Sequence, residues 1–311
     1  MHSQRKTAGI RSLFSRTLTI VALVMFCLPV LAQVREAGKF EEPIRLEPLN
    51  VTLHDLLAQQ HPIAAQSSPR KPLVAWGDTE PIFIFPLVGS TPGGGGTFFH
   101  TESVIANELN RPQDVLLFWF PAGGGSANCS RPSVRFHMDG NTWYYWEDMA
   151  SQLLNASGLG AVVVVAADSA GNLDTTALLD GFSKIWTFIP GSSGTVAQSF
   201  VAESLNTDQG LQFAYGLRQD AGFRTNVGIF NYDVVPRSFT VKVYGSNGAG
   251  TGSGTATVDA CNVTLFPAPA GSWNRMLVSI TADDGRGLWY GFASTVDNVS
   301  GASWSSVAHP Y

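Results

Sequence analysis

The chain has 311 residues, of which 44% are apolar (Ala, Val, Ile, Leu, Met, Phe, Trp, Tyr, Cys) and 14% are charged, and its formal net charge at pH 7 is -5. This composition excludes a disordered protein, which needs low hydrophobicity, and a collagen or coiled coil, which needs a glycine period or charged heptads. The acidic balance also argues against nucleic-acid binding, because no stripe of lysine and arginine is available to displace phosphate counterions.

The first 32 residues have the pattern of a secretory signal peptide. Residues 1–16 carry four basic side chains and no acidic one, and an apolar run over residues 20–32 ends in Val-Leu-Ala. This order is typical of a signal cleaved after Ala32, and the apolar run is shorter than the roughly 20 residues that span a bilayer. We therefore predict export to the extracellular space, the periplasm or the cell surface, with no membrane span after cleavage; an uncleaved anchor is the alternative.

Residues 33–80 alternate acidic side chains, prolines and Gln/Ser, which predicts an extended leader with at most one helical turn or an edge strand near the apolar patch at 51–57. From residue 81 onward, short apolar runs rich in Val, Ile, Phe, Tyr and Trp alternate with Gly/Ser/Asn/Pro clusters. That pattern is typical of strands and turns. One short helix, of two turns at most, is predicted over residues 146–154, where Met149, Leu153 and Leu154 recur at helical spacing.

An internal repeat indicates the architecture. Residues 99–120 align without gaps with residues 223–244, and five positions are identical: Phe99/Phe223, Thr101/Thr225, Ile105/Ile229, Asn107/Asn231 and Pro112/Pro236. A Trp-x-x-Met at Trp146 and a second at Trp273 extend the alignment, and predict that both tryptophans lie in a core. Each copy has the length of one immunoglobulin-like sandwich. We predict two β-sandwich domains in tandem, over residues 81–205 and 206–311.

The repeat also carries a family resemblance. Its Phe-x-Thr, followed by Asn six residues beyond the Thr and Pro five later, and the closing Ala-Ser-Thr-Val-Asp-Asn-Val-Ser-Gly at residues 293–301, resemble paired immunoglobulin-like sandwich domains of secreted bacterial proteins with unassigned function. The resemblance covers residues 82–311. It implies an all-β fold of two tandem immunoglobulin-like sandwiches after the signal peptide and the leader, and it brings no catalytic residues with it.

The cysteines predict at most one disulfide. Cys27 lies within the signal, whereas Cys129 and Cys261 reach an oxidising compartment, where a pair can bridge. Each follows the paired strands of its repeat and precedes the Trp-x-x-Met block, so we interpret the two loops as comparable. If the two sandwiches pack about a pseudo-twofold axis, these loops approach each other and a Cys129–Cys261 bond forms; two free thiols are the alternative.

Motifs that would dictate a reaction are missing from the sequence. It has no Gly-x-Ser-x-Gly nucleophile elbow, and no Cys/His or EF-hand ligand spacing. We therefore expect no catalytic residue, no metal and no cofactor. A secreted hydrolase with a dispersed site remains the third possibility for function.

The segment Trp143-Tyr144-Tyr145-Trp146 is the strongest candidate for a ligand site. In a strand, alternate side chains face opposite ways, so two of the four aromatic rings face solvent, where they can stack on a sugar ring or a partner side chain. Trp143, Tyr144 and Tyr145 are the predicted binding residues. The expected function is a non-catalytic exported interaction or scaffold protein whose partner is a protein or a glycan, and a carbohydrate-binding module is the alternative.

Overall fold

Strands dominate the structure, a computed structural model that describes residues 46–64, 81–205, 210–246, 248 and 250–310. The predicted signal peptide and two parts of the leader, residues 33–45 and 65–80, lie outside the described residues. The prediction of an all-β fold is confirmed: every strand pairing is antiparallel, and the sheets stack face to face as in a β-sandwich.

The described part of the leader contains both a strand and a helix. Strand β1 (Glu47–Leu49) pairs with a later strand as the edge of a sheet, and helix α1 (Leu53–Ala64) follows it. Thr52 and Asp55 form a capping box, in which the Asp55 carboxylate accepts from the Thr52 amide at 3.0 Å and the Thr52 hydroxyl accepts from the Asp55 amide at 3.3 Å. The helix is longer than the single predicted turn.

Besides two 3-10 turns at Gly94–Gly96 and Gly125–Ser130, the first copy of the repeat contains nine strands and one short α-helix. They are β2 (Ile82–Pro92), β3 (Phe98–Asn107), β4 (Gln113–Pro121), β5 (Ser133–Met138), β6 (Thr142–Trp146), α2 (Met149–Gln152), β7 (Gly158–Ala167), β8 (Leu179–Phe188), β9 (Thr195–Val201) and β10 (Glu203–Ser204). One layer, sheet A, has the order β1-β5-β4-β7-β2-β10, and the other, sheet B, has the order β6-β3-β8-β9. The β2–β3 hairpin joins them.

The second copy repeats these strands. They are β11 (Leu211–Gln219), β12 (Phe223–Asn231), β13 (Arg237–Gly245), β14 (Gly250–Val258), β15 (Asn262–Pro267), β16 (Trp273–Ala282), β17 (Trp289–Asp297), β18 (Ser303–Val307) and β19 (His309–Pro310). Sheet C has the order β14-β13-β16-β11-β19 and sheet D the order β15-β12-β17-β18. Every pairing among β3 to β9 recurs among β12 to β18, and β2 and β11 occupy equivalent places.

The strand order of each copy agrees only in part with that of an immunoglobulin sandwich. In each copy the third strand pairs with the sixth and the second with the fifth, as in immunoglobulin domains. The first strand, however, lies beside the sixth strand, whereas in immunoglobulin domains it belongs to the sheet of the second and fifth strands. The fourth strand pairs with the third and the seventh with the second, whereas in immunoglobulin domains the fourth strand belongs to the sheet of the second and fifth, and the seventh to the sheet of the third and sixth. The pairings are therefore compatible with a β-sandwich whose strand order differs from that of immunoglobulin domains.

The repeated asparagine links two turns in each copy. The amide nitrogen of buried Asn107 donates to the carbonyls of Arg111 (2.8 Å) and Asp139 (3.0 Å), and its amide oxygen accepts from the Leu109 backbone at 3.1 Å. In the second copy Asn231 makes the equivalent bonds to the backbone groups of Val235 (2.9 Å), Asp259 (3.0 Å) and Asp233 (3.1 Å). The asparagine is repeated because each turn leaves buried backbone groups that need these partners.

The Trp-x-x-Met match is a coincidence of spacing. Trp146 ends β6 and is buried, as predicted, but Trp273 begins β16, which is the counterpart of β7, and it is only partly buried. The predicted helix over residues 146–154 is also wrong in extent, because β6 runs through Trp146 and α2 occupies only Met149–Gln152.

The apolar core has three layers. Alternate residues of β4 point in opposite directions: Val115, Leu117 and Trp119 pack against sheet B, whereas Leu116, Phe118 and Phe120 belong to a cluster shared with sheet D. That shared cluster includes Phe230, Tyr232 and Phe292 of the second copy and Leu53, Leu56 and Leu57 of α1. Sheet A is therefore buried on both faces, and the described residues belong to one compact unit.

Candidate functional site

Strand β6 separates the predicted binding residues onto two faces of sheet B. Trp143 is 42% exposed and Tyr145 lies on the same, outer face. Tyr144 and Trp146 point inward, where both rings contact Phe136 at centroid distances of 6.1 and 5.7 Å. The structure thus brings Trp143 and Tyr145 together and places Tyr144 against the core.

The outer face of sheet B carries an apolar row across all four strands. Tyr145 lies opposite Val104, Val104 opposite Phe182, and Phe182 opposite Val201. Directly opposite side chains project to the same side of a sheet and contact each other. Phe182 is 37% exposed and Val201 is similarly exposed.

A second row, made of rings, lies further along the two central strands β3 and β8. The ring of His100 lies between Phe98, at 4.9 Å, and Trp186, at 5.3 Å, and Trp186 contacts Phe188 at 5.2 Å. Phe188 is 57% exposed. We call Trp143, Tyr145, Val104, Phe182, Val201, Phe98, His100, Trp186 and Phe188 the aromatic face.

An ion pair separates the two rows of the aromatic face. Glu102 and Lys184 are opposite each other on β3 and β8 and form a salt bridge. Burial and the neighbouring Glu102 carboxylate raise the pKa of Tyr145 to about 12, so its hydroxyl is a weaker acid than that of an ordinary tyrosine. The face therefore offers flat rings together with one carboxylate, one ammonium group and one phenol.

The ring of His100 is held in position by a hydrogen bond to the buried Asp148 carboxylate. Its Nδ1 lies 3.0 Å from Oδ2 of Asp148, and the Ser90 hydroxyl donates to the same oxygen at 2.8 Å. In a hydrolytic triad the serine bonds the histidine and the aspartate orients that histidine. Here the serine bonds the aspartate instead, so this arrangement fixes the orientation of an imidazole ring and does not activate the Ser90 hydroxyl.

No protein-family model matches the chain, and a search of curated proteins finds no match. The function is therefore inferred from the structure of the chain itself.

Sequence reasoning missed most of the aromatic face. Phe182, Trp186 and Phe188 alternate with residues that point into the sandwich, so the segment 182–188 has a period of two with rings on its outer side. Rings on the solvent side of such a strand are a signal that the sequence contains. Their alignment with Trp143 depends on strand order, which the sequence does not reveal.

The predicted disulfide is present. Cys129 and Cys261 are bonded, with their Cα atoms 5.3 Å apart. The interpretation that they occupy comparable loops is wrong: Cys129 lies in the β4–β5 connection and Cys261 in the β14–β15 turn, where its left-handed backbone (φ 50°) matches that of Asn141 in the first copy. The bond therefore fastens one copy to the other, and it is compatible with an oxidising compartment. Among the described residues, no helix combines the length and apolar character of a membrane span.

A partly buried carboxyl lies where β10 meets the second copy. Burial raises the pKa of Glu203 to about 7 from an ordinary value of 4.5. Burial, together with the nearby Glu203 and Tyr232, raises the pKa of Tyr290 well above its ordinary value, and the Tyr290 hydroxyl has no hydrogen-bond partner among the described residues. The region therefore disfavours negative charge.

Replacing Glu203 with Gln is expected to remove a pH dependence of stability. A carboxyl whose pKa is higher in the folded protein keeps its proton there while the unfolded chain releases it, so the free energy of unfolding falls as pH rises from about 4.5 to about 7 and is level above that. Glu203→Gln should therefore be more stable than the parent by about 2–3 kcal/mol at pH 8 and nearly equal to it at pH 4.

Urea denaturation at pH 4, 6 and 8 measures this effect. Glu108→Gln, at an exposed site, is the matched control and should follow the parent at every pH. A parent–Glu203→Gln difference that does not change between pH 4 and pH 8 would contradict the assignment.

Proposed function

We propose that the protein is a non-catalytic exported binding protein whose recognition surface is the aromatic face of sheet B. One observation carries the proposal: the outer side of an antiparallel sheet, normally polar, here bears two rows of apolar and aromatic side chains. The rings of Phe98, Trp143, Phe182 and Phe188 are the exposed ones. Strands of a sheet with one solvated face usually alternate apolar side chains toward the core with polar side chains toward solvent. Contiguous apolar surface with aromatic residues and a polar rim is typical of interaction sites.

The scaffold supports this role. We propose that each copy is an immunoglobulin-like sandwich with modified positions of its first, fourth and seventh strands, and that signal-directed export places the pair in an oxidising compartment. The disulfide and the shared apolar core support a rigid platform. A rigid platform loses little conformational entropy when it binds, which favours affinity.

A protein partner fits the aromatic face best. Val104, Phe182 and Val201 are apolar groups without hydrogen-bonding capacity, and protein interfaces bury such groups at their centre with aromatic residues around them. A glycan is the second candidate, favoured by exposed Trp143 beside the phenol of Tyr145 and the carboxylate of Glu102. That combination supplies a ring for stacking and polar groups for sugar hydroxyls.

A displayed random-peptide library and a glycan array test the proposal on the parent and three variants. Trp143→Ala and Phe182→Ala remove rings from the aromatic face, and Tyr215→Ala removes a ring that is 49% exposed on sheet C. We expect selected peptides to bind the parent and Tyr215→Ala alike, and both face variants at least about tenfold more weakly.

The outcomes separate the candidates. Peptide binding lost in both face variants supports a protein partner, and glycan binding lost in Trp143→Ala supports carbohydrate recognition. Binding that survives both face substitutions, or a parent that binds neither library, would refute the aromatic face as the recognition surface. Turnover of an arrayed glycan would favour the hydrolase instead.

A further inference from the structure

A cleft of 620 Å³ lies where the two copies meet, and it shares Phe188 with the edge of the aromatic face. Its first wall comes from the first copy and is mainly apolar, with Leu87, Phe99, Leu159 and Ile185 among its residues. Its second wall comes from sheet D. Cavities of this size with mostly apolar walls and a few placed polar groups are typical of small-molecule sites.

Polar side chains of the second wall follow one face of sheet D. Arg224 and Asn226 are two residues apart on β12, so their side chains project to the same side about 6–7 Å apart. Ser294 lies opposite Asn226 on β17 and donates its hydroxyl to the side-chain oxygen of Gln198 at 3.0 Å. This wall therefore presents hydrogen-bonding groups, with Val296 and Leu265 beside them, opposite the mainly apolar wall.

Gln198 contributes an amide group with unused capacity. It lines the cleft from β9 and is only 8% exposed, and its Nε2 has no hydrogen-bond partner among the described residues. If the amide is turned around, the Ser294 bond is kept and the oxygen is left unpaired instead, so one end of this amide lacks a partner in either orientation. A buried amide without a partner costs free energy, and a ligand in the cleft would supply the missing partner.

The charge of the cleft has one sign. Arg224 is its single charged lining residue within the described part of the chain, although the protein as a whole is acidic. Arg224 donates to the neutral side-chain oxygen of Asn298 at 2.7 Å, and no described carboxylate lies within ion-pair distance of it. A guanidinium group has five donors, so further donors are available for an anion.

We propose that this cleft binds a small amphipathic carboxylate, with the carboxylate at Arg224 and the hydrocarbon part against the apolar wall of the first copy. The amphipathic walls fix the orientation: a polar end at sheet D and an apolar body between Phe99 and Ile185. The single positive charge selects an anion over a neutral or cationic amphiphile.

Decanoate is the probe, and isothermal titration calorimetry of the purified protein is the measurement, with decanol as the neutral analogue. We expect saturable decanoate binding to the parent, and binding at least tenfold weaker to Arg224→Gln. Decanol should bind the parent and Arg224→Gln equally. Arg286→Gln, at an exposed turn on the second copy, is the matched control and should leave both titrations unchanged.

A second variant fills the cleft. Val196 is a partly buried lining residue of β9, and Val196→Trp should abolish binding of both probes while the midpoint of thermal unfolding stays close to that of the parent. The proposal is overturned if decanoate shows no saturable binding to the parent. It is also overturned if decanoate binds Arg224→Gln or Val196→Trp as tightly as it binds the parent.

A free fatty carboxylate and an anionic phospholipid both combine a negatively charged head with a hydrocarbon chain. A further arm of the experiment distinguishes them. The same proteins are sedimented with phosphatidylglycerol vesicles in the presence and absence of decanoate. Vesicle binding that decanoate displaces, and that Arg224→Gln lacks, assigns the site to a lipid; calorimetric binding without sedimentation assigns it to a free carboxylate.

Discussion

Replacing Cys129 and Cys261 together with serine is expected to lower the free energy of unfolding by about 3–5 kcal/mol. The bond joins positions 132 residues apart, so its loss frees a long segment of the unfolded chain. Cys261 is fully buried in the cluster that the two copies share, and the Asn128 side chain donates to its carbonyl at 3.0 Å. Serine side chains at these two positions do not replace the packing of the disulfide sulfur atoms.

Urea denaturation of the parent and the double variant measures the loss. Dithiothreitol should destabilise the parent by a similar amount and leave the double variant unchanged, which makes the reductant an internal control. If the parent and the double variant unfold at the same urea concentration, the bond between the copies contributes nothing and this prediction is wrong.

The sequence predicts the repeated unit well, because the repeat is encoded locally. Asn107 and Asn231 mark equivalent turns, and the hydrogen bonds of one are reproduced at the other. The Trp146 and Trp273 match, in contrast, rests on spacing alone, and the two residues occupy different strands. Identity within a gapless block thus indicates shared structure more reliably than a short motif outside it.

The double burial of sheet A could have been predicted from the sequence. Residues 82–88, 115–120 and 161–167 are nearly continuous apolar runs, the pattern of strands covered on both faces. Strand β13 of the second copy alternates instead, because its outer face is solvated. The position of α1 could not be predicted in this way, since its Leu53, Leu56 and Leu57 are buried by a surface that exists only after both copies fold.

The residues of β6 likewise do not reveal which of its side chains face the core. Because all four residues of the segment are aromatic, either alternate pair could face the core. The packing of Trp146 and Tyr144 with Phe136 across the sandwich decides which pair points inward. Binding residues on such a strand are therefore identified only when the inner face is known, which makes Trp143 a better test of binding than Tyr144.

Phe120→Ala is expected to lower the free energy of unfolding by about 3–5 kcal/mol. Phe120 is buried in the cluster shared by the two copies, and its ring lies 5.0 Å from that of Phe230 in the second copy. The substitution leaves a cavity between sheets A and D, and it removes one of the ring contacts that cross between the copies. Because this cluster also buries α1, the loss affects both copies and the leader helix.

Calorimetry of the parent, Phe120→Ala and a matched control measures the effect. Phe239→Ala removes a buried ring that contacts Trp289 at 5.1 Å within the second copy alone, and it should cost a similar free energy. If the shared core couples the copies, the parent unfolds in one transition and Phe239→Ala lowers that single transition as a whole. Two transitions in the parent, with Phe239→Ala shifting only one of them, would show that the copies unfold independently and that the shared cluster does not couple them.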